Sequence, residues 1–197
     1  MNVPRETELL LQRYSDLIRK WNPAINLVAP GTLSDLRHRH IDDSLQLFDH
    51  AGPSAGSWMD LGSGGGLPGI VVAILARDLP LTVTLVESDR RKSAFLATVR
   101  RELDLENLSI KPARIEQLVR GQHDFVSARA LAPLQDLLPM IDQQLASDGE
   151  AWLLKGKSWQ QEVEVAKANW SFDLTTYQST TDPESVVMKL RKIEPNA

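Results

Sequence analysis

The sequence contains no cysteine in its 197 residues. It therefore excludes disulfide bonds, thiolate metal sites and every mechanism that uses a cysteine nucleophile. It also lacks a run of about 18 apolar residues, so no membrane-spanning helix is expected. The first residues, MNVPRETELLLQ, lack the basic and apolar regions of a signal peptide, and a cytoplasmic location is the expectation.

A net excess of basic charge is missing as well, because 22 basic and 26 acidic side chains give a formal net charge of -4. Enzymes that act on nucleic acids are more often basic, although an acidic protein can still carry a local basic face. The phosphate-binding pattern G-x-x-x-x-G-K-[ST] does not occur. No metal site is expected, because the histidines form no metal-ligand pattern; they are His38, His40, His50 and His123.

The first fifty residues are predicted to be helical. Residues 5–21 place apolar side chains, Tyr14 among them, at helical spacing, and Asn22-Pro23 is predicted to end that helix. A second helix is predicted to run to residue 48, with Thr32 or Ser34 as its N-cap. A loop at 51–57 follows, and the pattern then changes. We therefore divide the chain into a helical cap over residues 1–52 and one compact domain over residues 53–197.

The second part of the chain alternates short β-type runs with helical stretches. This pattern is typical of an α/β fold whose mainly parallel sheet is covered on both faces. Seven strands are predicted, at residues 58–61, 82–87, 108–111, 124–128, 151–155, 172–179 and 185–192. Helices are predicted at residues 67–78, 89–103, 114–120, 133–147 and 158–169. The short STTDPE connection requires the last two strands to form an antiparallel hairpin, because a parallel crossover needs about a dozen residues or more.

The stretch MDLGSGGGLPGI, residues 59–70, places five glycines behind an acidic residue. Glycine allows a tight turn and close approach of the backbone to a ligand, and ligands of such sheets bind beyond the carboxyl ends of the strands. Two patterns fit this stretch. From Gly64 it satisfies the dinucleotide fingerprint G-x-G-x-x-G, and from Asp60 it satisfies D-x-G-x-G-x-G, a nucleoside-binding loop of another kind.

Two acidic residues bear on this choice. Glu87 ends the second predicted strand, where a carboxylate accepts hydrogen bonds from the ribose hydroxyls of an adenosine, which NAD and S-adenosylmethionine both contain. Asp60 distinguishes the two ligands, because a carboxylate about 4 Å from a pyrophosphate costs about 4 kcal/mol at an effective dielectric of about 20. The sulfonium and ammonium groups of S-adenosylmethionine are attracted instead, so the loop favours that ligand.

Six segments, with the glycine stretch among them, occur in an order that resembles one known family. They are KWNPAINLVAP (20–30), RHIDDSL (39–45), DLGSGGGLPGI (60–70), ESDRRKSAFL (87–96), SARALAPL (127–134) and LLKG (153–156). Together they look like the bacterial RsmG/GidB family of 16S rRNA guanine-N7 methyltransferases, over nearly the whole chain. The resemblance implies a class I S-adenosylmethionine-dependent methyltransferase fold, which is Rossmann-like. It also implies methylation of a guanine at position 527 of the 530 loop in the usual rRNA numbering.

The resemblance also implies roles for individual residues. Glu87 would hold the ribose, Ile115 and Glu116 would frame the adenine, and Arg129 would lie near the methyl donor and the incoming guanine. The other expected cofactor contacts come from the glycine loop: Asp60, Gly62, Gly64, Gly66 and Leu67. The side chains expected to contact RNA are Arg37, Arg39, His40, Arg90, Arg91, Lys92, Arg100, Arg101 and Lys155.

The implied reaction needs few catalytic groups. Guanine N7 has a free lone pair and no proton to lose, so positioning and electrostatics are sufficient and no general base is expected. The sequence agrees, since it shows no Ser-His-Asp arrangement and no paired carboxylates. The expected partner is 16S rRNA in the 30S ribosomal particle, with no membrane partner, and the protein is expected to be a monomer.

Three alternatives stay open at this point. A small-molecule methyltransferase would use the same cofactor site without needing ribosomal RNA. A nicotinamide-dependent oxidoreductase would bind NAD at the glycine loop. A non-enzymatic module would bind the cofactor and never turn over.

Overall fold

The computed structural model describes residues 3–196, which form a seven-stranded sheet with helices on both faces. The strands are β1 (Gly56–Leu61), β2 (Leu81–Val86), β3 (Leu108–Lys111), β4 (His123–Arg129), β5 (Leu145–Lys155), β6 (Trp170–Gln178) and β7 (Val186–Pro195). Their order is β3-β2-β1-β4-β5-β7-β6. Strands β1 to β5 pair in parallel, whereas β7 pairs antiparallel with both β5 and β6. The predicted sheet and its C-terminal hairpin are confirmed.

The strand order creates a crevice at the carboxyl ends of the central strands β1 and β4. The chain runs outward from β1 through β2 to β3, and then crosses back to place β4 on the other side of β1. The loops that follow β1 and β4 therefore diverge at the carboxyl ends of these strands. Ligands of open α/β sheets bind at this kind of switch point.

The helices are α1 (Arg5–Ile25), α2 (Asp43–Ala51), α3 (Gly69–Leu75), α4 (Arg90–Glu102), α5 (Leu134–Gln144) and α6 (Trp159–Lys167). Helices α1 to α4 contribute to one hydrophobic cluster, and α5 and α6 contribute to a second. Neighbouring strand residues alternate between the two clusters, so Trp58 lies in the first and Met59 in the second. This follows from the alternation of side chains along a strand, and it explains why the central strands are apolar on both faces.

The predicted end of α1 at Asn22-Pro23 is wrong. The helix continues to Ile25 and contains Pro23 in its last turn, where a missing N–H removes only one intrahelical hydrogen bond. The chain leaves the helix at Asn26, whose φ is 47° and whose N–H donates to the carbonyl of Asn22 at 3.0 Å. The Asn22 side chain then accepts from the N–H of Val28 at 2.8 Å, which fixes the turn.

The second predicted helix is also different, because it is divided into three parts. A 3-10 helix (Pro30–Asp35) and a π-helix (Arg37–Asp42) precede α2. Neither predicted residue is an N-cap, and the Thr32 hydroxyl instead donates to the carbonyl of Ala29 at 2.8 Å. Short π-helical segments such as this one often occur at functional sites.

The predicted helix at 114–120 is also different. It is reduced to a 3-10 turn (Ile115–Gln117), since the backbone becomes extended at Leu118.

The N-terminal helices share their core with the sheet. Leu11, Tyr14 and Ile18 of α1 are fully buried in the same cluster as Ile70 of α3 and Phe95 of α4. Each such aliphatic side chain contributes about 1.5–3 kcal/mol through burial. Residues 1–52 therefore have no hydrophobic core separate from that of the sheet within the described residues. The division of the chain at residue 52 stays a prediction. Within residues 3–196, no helix is both long and apolar enough to span a membrane.

Candidate active site

The glycine loop after β1 forms one wall of the crevice. Gly62 and Gly64 have φ values of +63° and +55°, a region that residues with a Cβ atom rarely adopt. A Cβ atom on Gly62 would also lie 2.5 Å from Cδ1 of Leu131, in the segment that follows β4. Glycine is therefore required here both for backbone conformation and for close packing.

Helix α1 holds the same loop from the opposite side. The Tyr14 hydroxyl donates a hydrogen bond to the carbonyl of Gly65 at 2.6 Å. Burial raises the pKa of Tyr14 well above its ordinary value, and the charge of Asp60 adds to this effect, so the phenol remains a donor. Sequence reasoning counted Tyr14 only as an apolar position of the helix. The feature that could have indicated this contact is the Tyr14 hydroxyl, because a buried tyrosine hydroxyl usually has a hydrogen-bond partner.

Glu87 connects the loop after β1 with the loop after β2. Its Oε2 accepts from the N–H of Gly64 and its Oε1 accepts from the N–H of Asp89, both at 2.7 Å. Each carboxylate oxygen has a second lone pair, so the side chain can still accept from a ligand. Glu87 thus directly follows β2, at the strand end where the sequence places it, and its contact with a ribose stays a prediction.

A cavity of about 580 Å³ opens between these loops, and it is large enough for a nucleoside-sized ligand. Seven of the nine residues predicted to contact the cofactor line it: Gly62, Gly64, Leu67, Glu87, Ile115, Glu116 and Arg129. Sequence reasoning missed further lining residues, which are contributed by the segment after α1 and by the loop after β3: Leu27, Val28, Ala29, Ala113 and Arg114.

Asp60 and Gly66 do not line this cavity, although the sequence predicts both as cofactor contacts. Asp60 is fully buried, and its Oδ1 accepts from the Ser127 hydroxyl at 2.7 Å. Its Oδ2 has no hydrogen-bond partner within residues 3–196. Burial raises the pKa of Asp60 to about 6, although the hydrogen bond from Ser127 opposes the shift. Asp60 therefore lies beneath the glycine loop, and its role toward a ligand stays a prediction.

Arg129, at the end of β4, projects into the crevice. Its Nη2 donates to the carbonyl of Arg39 at 3.3 Å and to Nδ1 of His40. Its Nη1 lies 3.8 Å from Oδ2 of Asp43. Burial lowers the pKa of Arg129, and the charges of Asp43, Tyr14 and Asp60 oppose this shift. A guanidinium has no accessible neutral form, so Arg129 presents a fixed positive charge.

His40 supports Arg129 and is only 8 % exposed. An arginine only donates, so Nδ1 of His40 accepts and its proton resides on Nε2. Nε2 then donates to the hydroxyl of Thr32 at 2.7 Å. Burial, followed by the charges of Arg129 and Arg39, lowers the pKa of His40 to about 4. The imidazole is therefore neutral near pH 7, and its side chain is not the surface RNA contact that the sequence predicts.

A second cavity, of about 430 Å³, adjoins the first on the other side of Arg129. The two cavities share the lining residues His40, Arg129, Ala130 and Leu131. Lys155 also lines the second cavity, but its Nζ donates to Glu162 at 2.7 Å and to the carbonyl of Ala132 at 2.9 Å. Lys155 is therefore a buried, paired side chain, in contrast to the predicted surface contact with RNA.

The comparisons with known proteins agree with this geometry. Residues 7–187 match the GidB family, which is described as rRNA small subunit methyltransferase G. The chain belongs to the GidB family. It is 52 % identical over 190 residues to "Ribosomal RNA small subunit methyltransferase G" of Paracoccus denitrificans, covering 96 % of this chain and 97 % of the relative. The same-named protein of Ruegeria sp. is 45 % identical over 196 residues, with 98 % and 95 % covered.

The fold is also similar to solved structures of methyltransferases. A SAM-dependent methyltransferase from Aquifex aeolicus superposes with a TM-score of 0.63 at 12 % identity, covering 89 % of this chain and 97 % of that one. At this identity the likeness concerns the fold alone, and it confirms the predicted class I architecture. No cluster of three potential metal ligands occurs in the described part of this GidB-family chain.

The basic residues predicted to contact RNA fall into different environments in this GidB-family protein. Arg37 is half-buried and pairs with Glu8 and Asp42, and Lys92 is half-buried in the wall of the first cavity. The exposed ones are Arg39, Arg90, Arg91, Arg100 and Arg101. RNA binding by these exposed arginines stays a prediction.

Proposed function

We propose that this GidB-family chain is an S-adenosylmethionine-dependent enzyme that methylates N7 of a guanine in 16S rRNA. The observation that carries the proposal is the pair of adjoining cavities with Arg129 between them. One cavity has the glycine loop and carboxylate suited to an adenosine, and the other is open to a second substrate. The names of the relatives support small-subunit rRNA as that substrate.

The first cavity fits the cofactor on chemical grounds. Glu87 has free lone pairs for the ribose hydroxyls, while Ile115 and Glu116 lie in the same wall for the adenine. The buried carboxylate of Asp60, beneath the loop, favours a cation and disfavours a pyrophosphate. This favours S-adenosylmethionine over NAD, and the proposed cofactor contacts are the seven predicted residues that line the cavity.

The protein groups contribute positioning and electrostatics. S-adenosylmethionine, when bound, supplies a methyl group that is already activated by its sulfonium. Arg129 stands between the two cavities as a fixed donor, and arginine pairs well with the O6 acceptor of guanine, which leaves the N7 lone pair free to attack the methyl group. Guanine N7 carries no proton, so the neutral His40 is not required as a base. Its role is to hold Arg129 in place.

The proposed partner is the 30S ribosomal particle, and the proposed location is therefore the cytoplasm. An acidic net charge of -4 suits an enzyme that recognises a folded particle better than one that binds any RNA through phosphates. We propose that the enzyme acts as a monomer.

The test is methylation of 16S rRNA, both free and in 30S particles, with S-adenosylmethionine carrying a labelled methyl group. We expect label on N7 of one guanine, located by cleavage at 7-methylguanine, and strongly reduced label with the Arg129→Ala variant. NADH serves as a control ligand and should not bind. Label on a small molecule only, or NADH binding without binding of S-adenosylmethionine, would contradict the proposal.

A further inference from the structure

The second cavity contains a carboxylate that the proposed reaction does not yet use. Asp43, the first residue of α2, lines this cavity but not the first one. Its side chain is 14 % exposed, and Oδ2 lies 3.8 Å from Nη1 of Arg129. Arg129 lines both cavities, so Arg129 and Asp43 follow one another along the path that leads away from the cofactor cavity.

Asp43 is held in a fixed orientation. Its Oδ1 accepts from Nε2 of Gln46 at 2.8 Å and from the hydroxyl of Thr181 at 3.0 Å. Gln46 is fixed in turn, because its Oε1 accepts from the N–H of Thr180 at 2.9 Å. Oδ2 accepts no hydrogen bond from the described residues 3–196, so both of its lone pairs are available.

The other carboxylates on this wall are already paired. Asp182 accepts from the N–H of Glu184 through Oδ1 and from the Ser185 hydroxyl through Oδ2, both at 2.9 Å. Glu162 accepts from Lys155 through Oε2 at 2.7 Å and from Ser158 through Oε1 at 3.3 Å. Asp43 is therefore the carboxylate in this cavity whose free oxygen is next to Arg129.

The order of these groups matches the edge of a guanine. Around the base, N7 and O6 are acceptors, and N1–H and the 2-amino group that follow are donors. With N7 toward the first cavity, O6 is beside Arg129 and the two donors are beside Asp43. Adenine reverses this pattern, because its N6 amino group would face the guanidinium and its N1 lone pair would face the carboxylate.

We propose that Asp43 determines guanine specificity by accepting hydrogen bonds from N1–H and the 2-amino group of the target base in the second cavity. This inference rests on the proposed function, since it assumes that guanine N7 is the methyl acceptor. An enzyme that acts on an extruded base reads that base through its Watson–Crick edge in a fitted pocket. Asp43 thus selects the base, while Arg129 contacts O6.

The test compares guanine with inosine, which lacks only the 2-amino group. Splinted ligation places either base at the methylated position of 16S rRNA, and the RNA is assembled into 30S particles. We expect the wild-type protein to prefer guanine by about 10-fold or more in kcat/KM, the usual effect of a lost charged contact to a base. Asp43→Asn presents an amide in place of the carboxylate, and it should reduce the preference to about twofold or less.

The matched control is Asp182→Asn, which alters a paired carboxylate of the same wall and should keep the wild-type ratio of guanine to inosine. Calorimetry should show unchanged affinity of Asp43→Asn for S-adenosylmethionine, which confirms folding. The proposal is overturned if Asp43→Asn keeps the wild-type ratio, even with lower rates, because Asp43 would then only stabilise Arg129. It is also overturned if the wild-type protein does not distinguish the two bases. A wild-type protein that methylates neither particle refutes the proposed function itself.

Discussion

His40 accepts a hydrogen bond through Nδ1 from the guanidinium of Arg129, and this contact links the π-helix to the end of β4. Its consequence is a defined tautomer, with the imidazole proton on Nε2 and directed at Thr32. The N-terminal segment thereby fixes a cation that both cavities share. A fixed guanidinium is valuable because misplaced groups in a positioning enzyme lose most of their effect.

Two substitutions of His40 separate its two hydrogen bonds. His40→Asn places an oxygen near the position of Nδ1 and can keep the acceptor for Arg129. His40→Gln extends to the position of Nε2 and can keep the donor for Thr32, but it loses the acceptor for Arg129. A hydrogen bond to a charged group contributes about 1.5–3 kcal/mol, so we expect the glutamine variant to be at least about 10-fold slower than the asparagine variant. Single-turnover methyl transfer measures this difference.

Both His40 variants are compared at a saturating concentration of S-adenosylmethionine, because His40 and Arg129 line the cofactor cavity and a change in cofactor affinity must not enter the rates. Equal rates for the two variants would show that the contact with Thr32, or burial alone, accounts for the role of His40. The pKa of His40 is lowered to about 4, so His40 stays neutral above about pH 5. Its titration is therefore not expected to change the rate of methyl transfer above that pH. A break near pH 6.5 that disappears in His40→Asn would contradict this assignment.

Glu87→Gln is predicted to weaken binding of S-adenosylmethionine at least about tenfold, which corresponds to about 1.4 kcal/mol. The amide has only one accepting atom, so it cannot serve Gly64, Asp89 and the ribose together. Glu116→Gln is the matched control; Glu116 is exposed, and its loss should cost less than Glu87→Gln. If calorimetry gives equal affinities of wild type and Glu87→Gln for S-adenosylmethionine, Glu87 does not bind the ribose.

The parts of the fold that the sequence could predict are those that depend on local patterns. The strand at 108–111 has the observed bounds, and the hairpin follows from the length of its connection. Gly62, Gly64 and Glu87 were also predictable, because a left-handed turn and an acidic strand end have local signatures. These residues lie in the first cavity as expected.

The parts that the sequence could not predict depend on contacts between distant segments. The packing of Tyr14 on Gly65 spans 51 positions, and the contact of His40 with Arg129 spans 89. Asp60 was misplaced for a different reason. Alternation along β1 puts it on the same face as Trp58, beneath α3, where Oδ2 lies against Gly69. A motif gives the identity of this carboxylate but not the face on which it lies.

Asp60 is nevertheless predicted to affect ligand charge selectivity. S-adenosylhomocysteine lacks the sulfonium charge but keeps the rest of the ligand, so the ratio of the two affinities isolates the effect of that charge. The pKa of Asp60 is raised to about 6, so the side chain is neutral well below this pH and negative above it. The preference for S-adenosylmethionine should therefore rise about threefold or more between pH 5 and pH 7, equivalent to about 0.7 kcal/mol.

The Asp60→Asn variant should abolish this pH dependence, because its amide can still accept from Ser127 but carries no charge. Calorimetric titration of both ligands at each pH supplies the measurement. A ratio that does not change with pH in the wild-type protein, or one that changes equally in Asp60→Asn, would show that the field of Asp60 does not reach the sulfonium.

The exposed arginines at the start of α4 are predicted to bind rRNA phosphates. Arg90 and Arg91 follow Glu87 at the carboxyl edge of the sheet, on the same side as both cavities, and Arg91 pairs only at 3.9 Å with Asp89. Replacing both with glutamine should reduce the magnitude of the slope of log affinity against log salt by about 1.5, since each phosphate contact contributes about 0.7–0.9.

Arg120→Gln is the control for the double variant. Arg120 precedes β4, at the amino ends of the strands, and its replacement should leave the slope unchanged. Filter binding to 30S particles over a series of salt concentrations measures the slopes, and equal slopes for wild type and the double variant would place the rRNA on another surface.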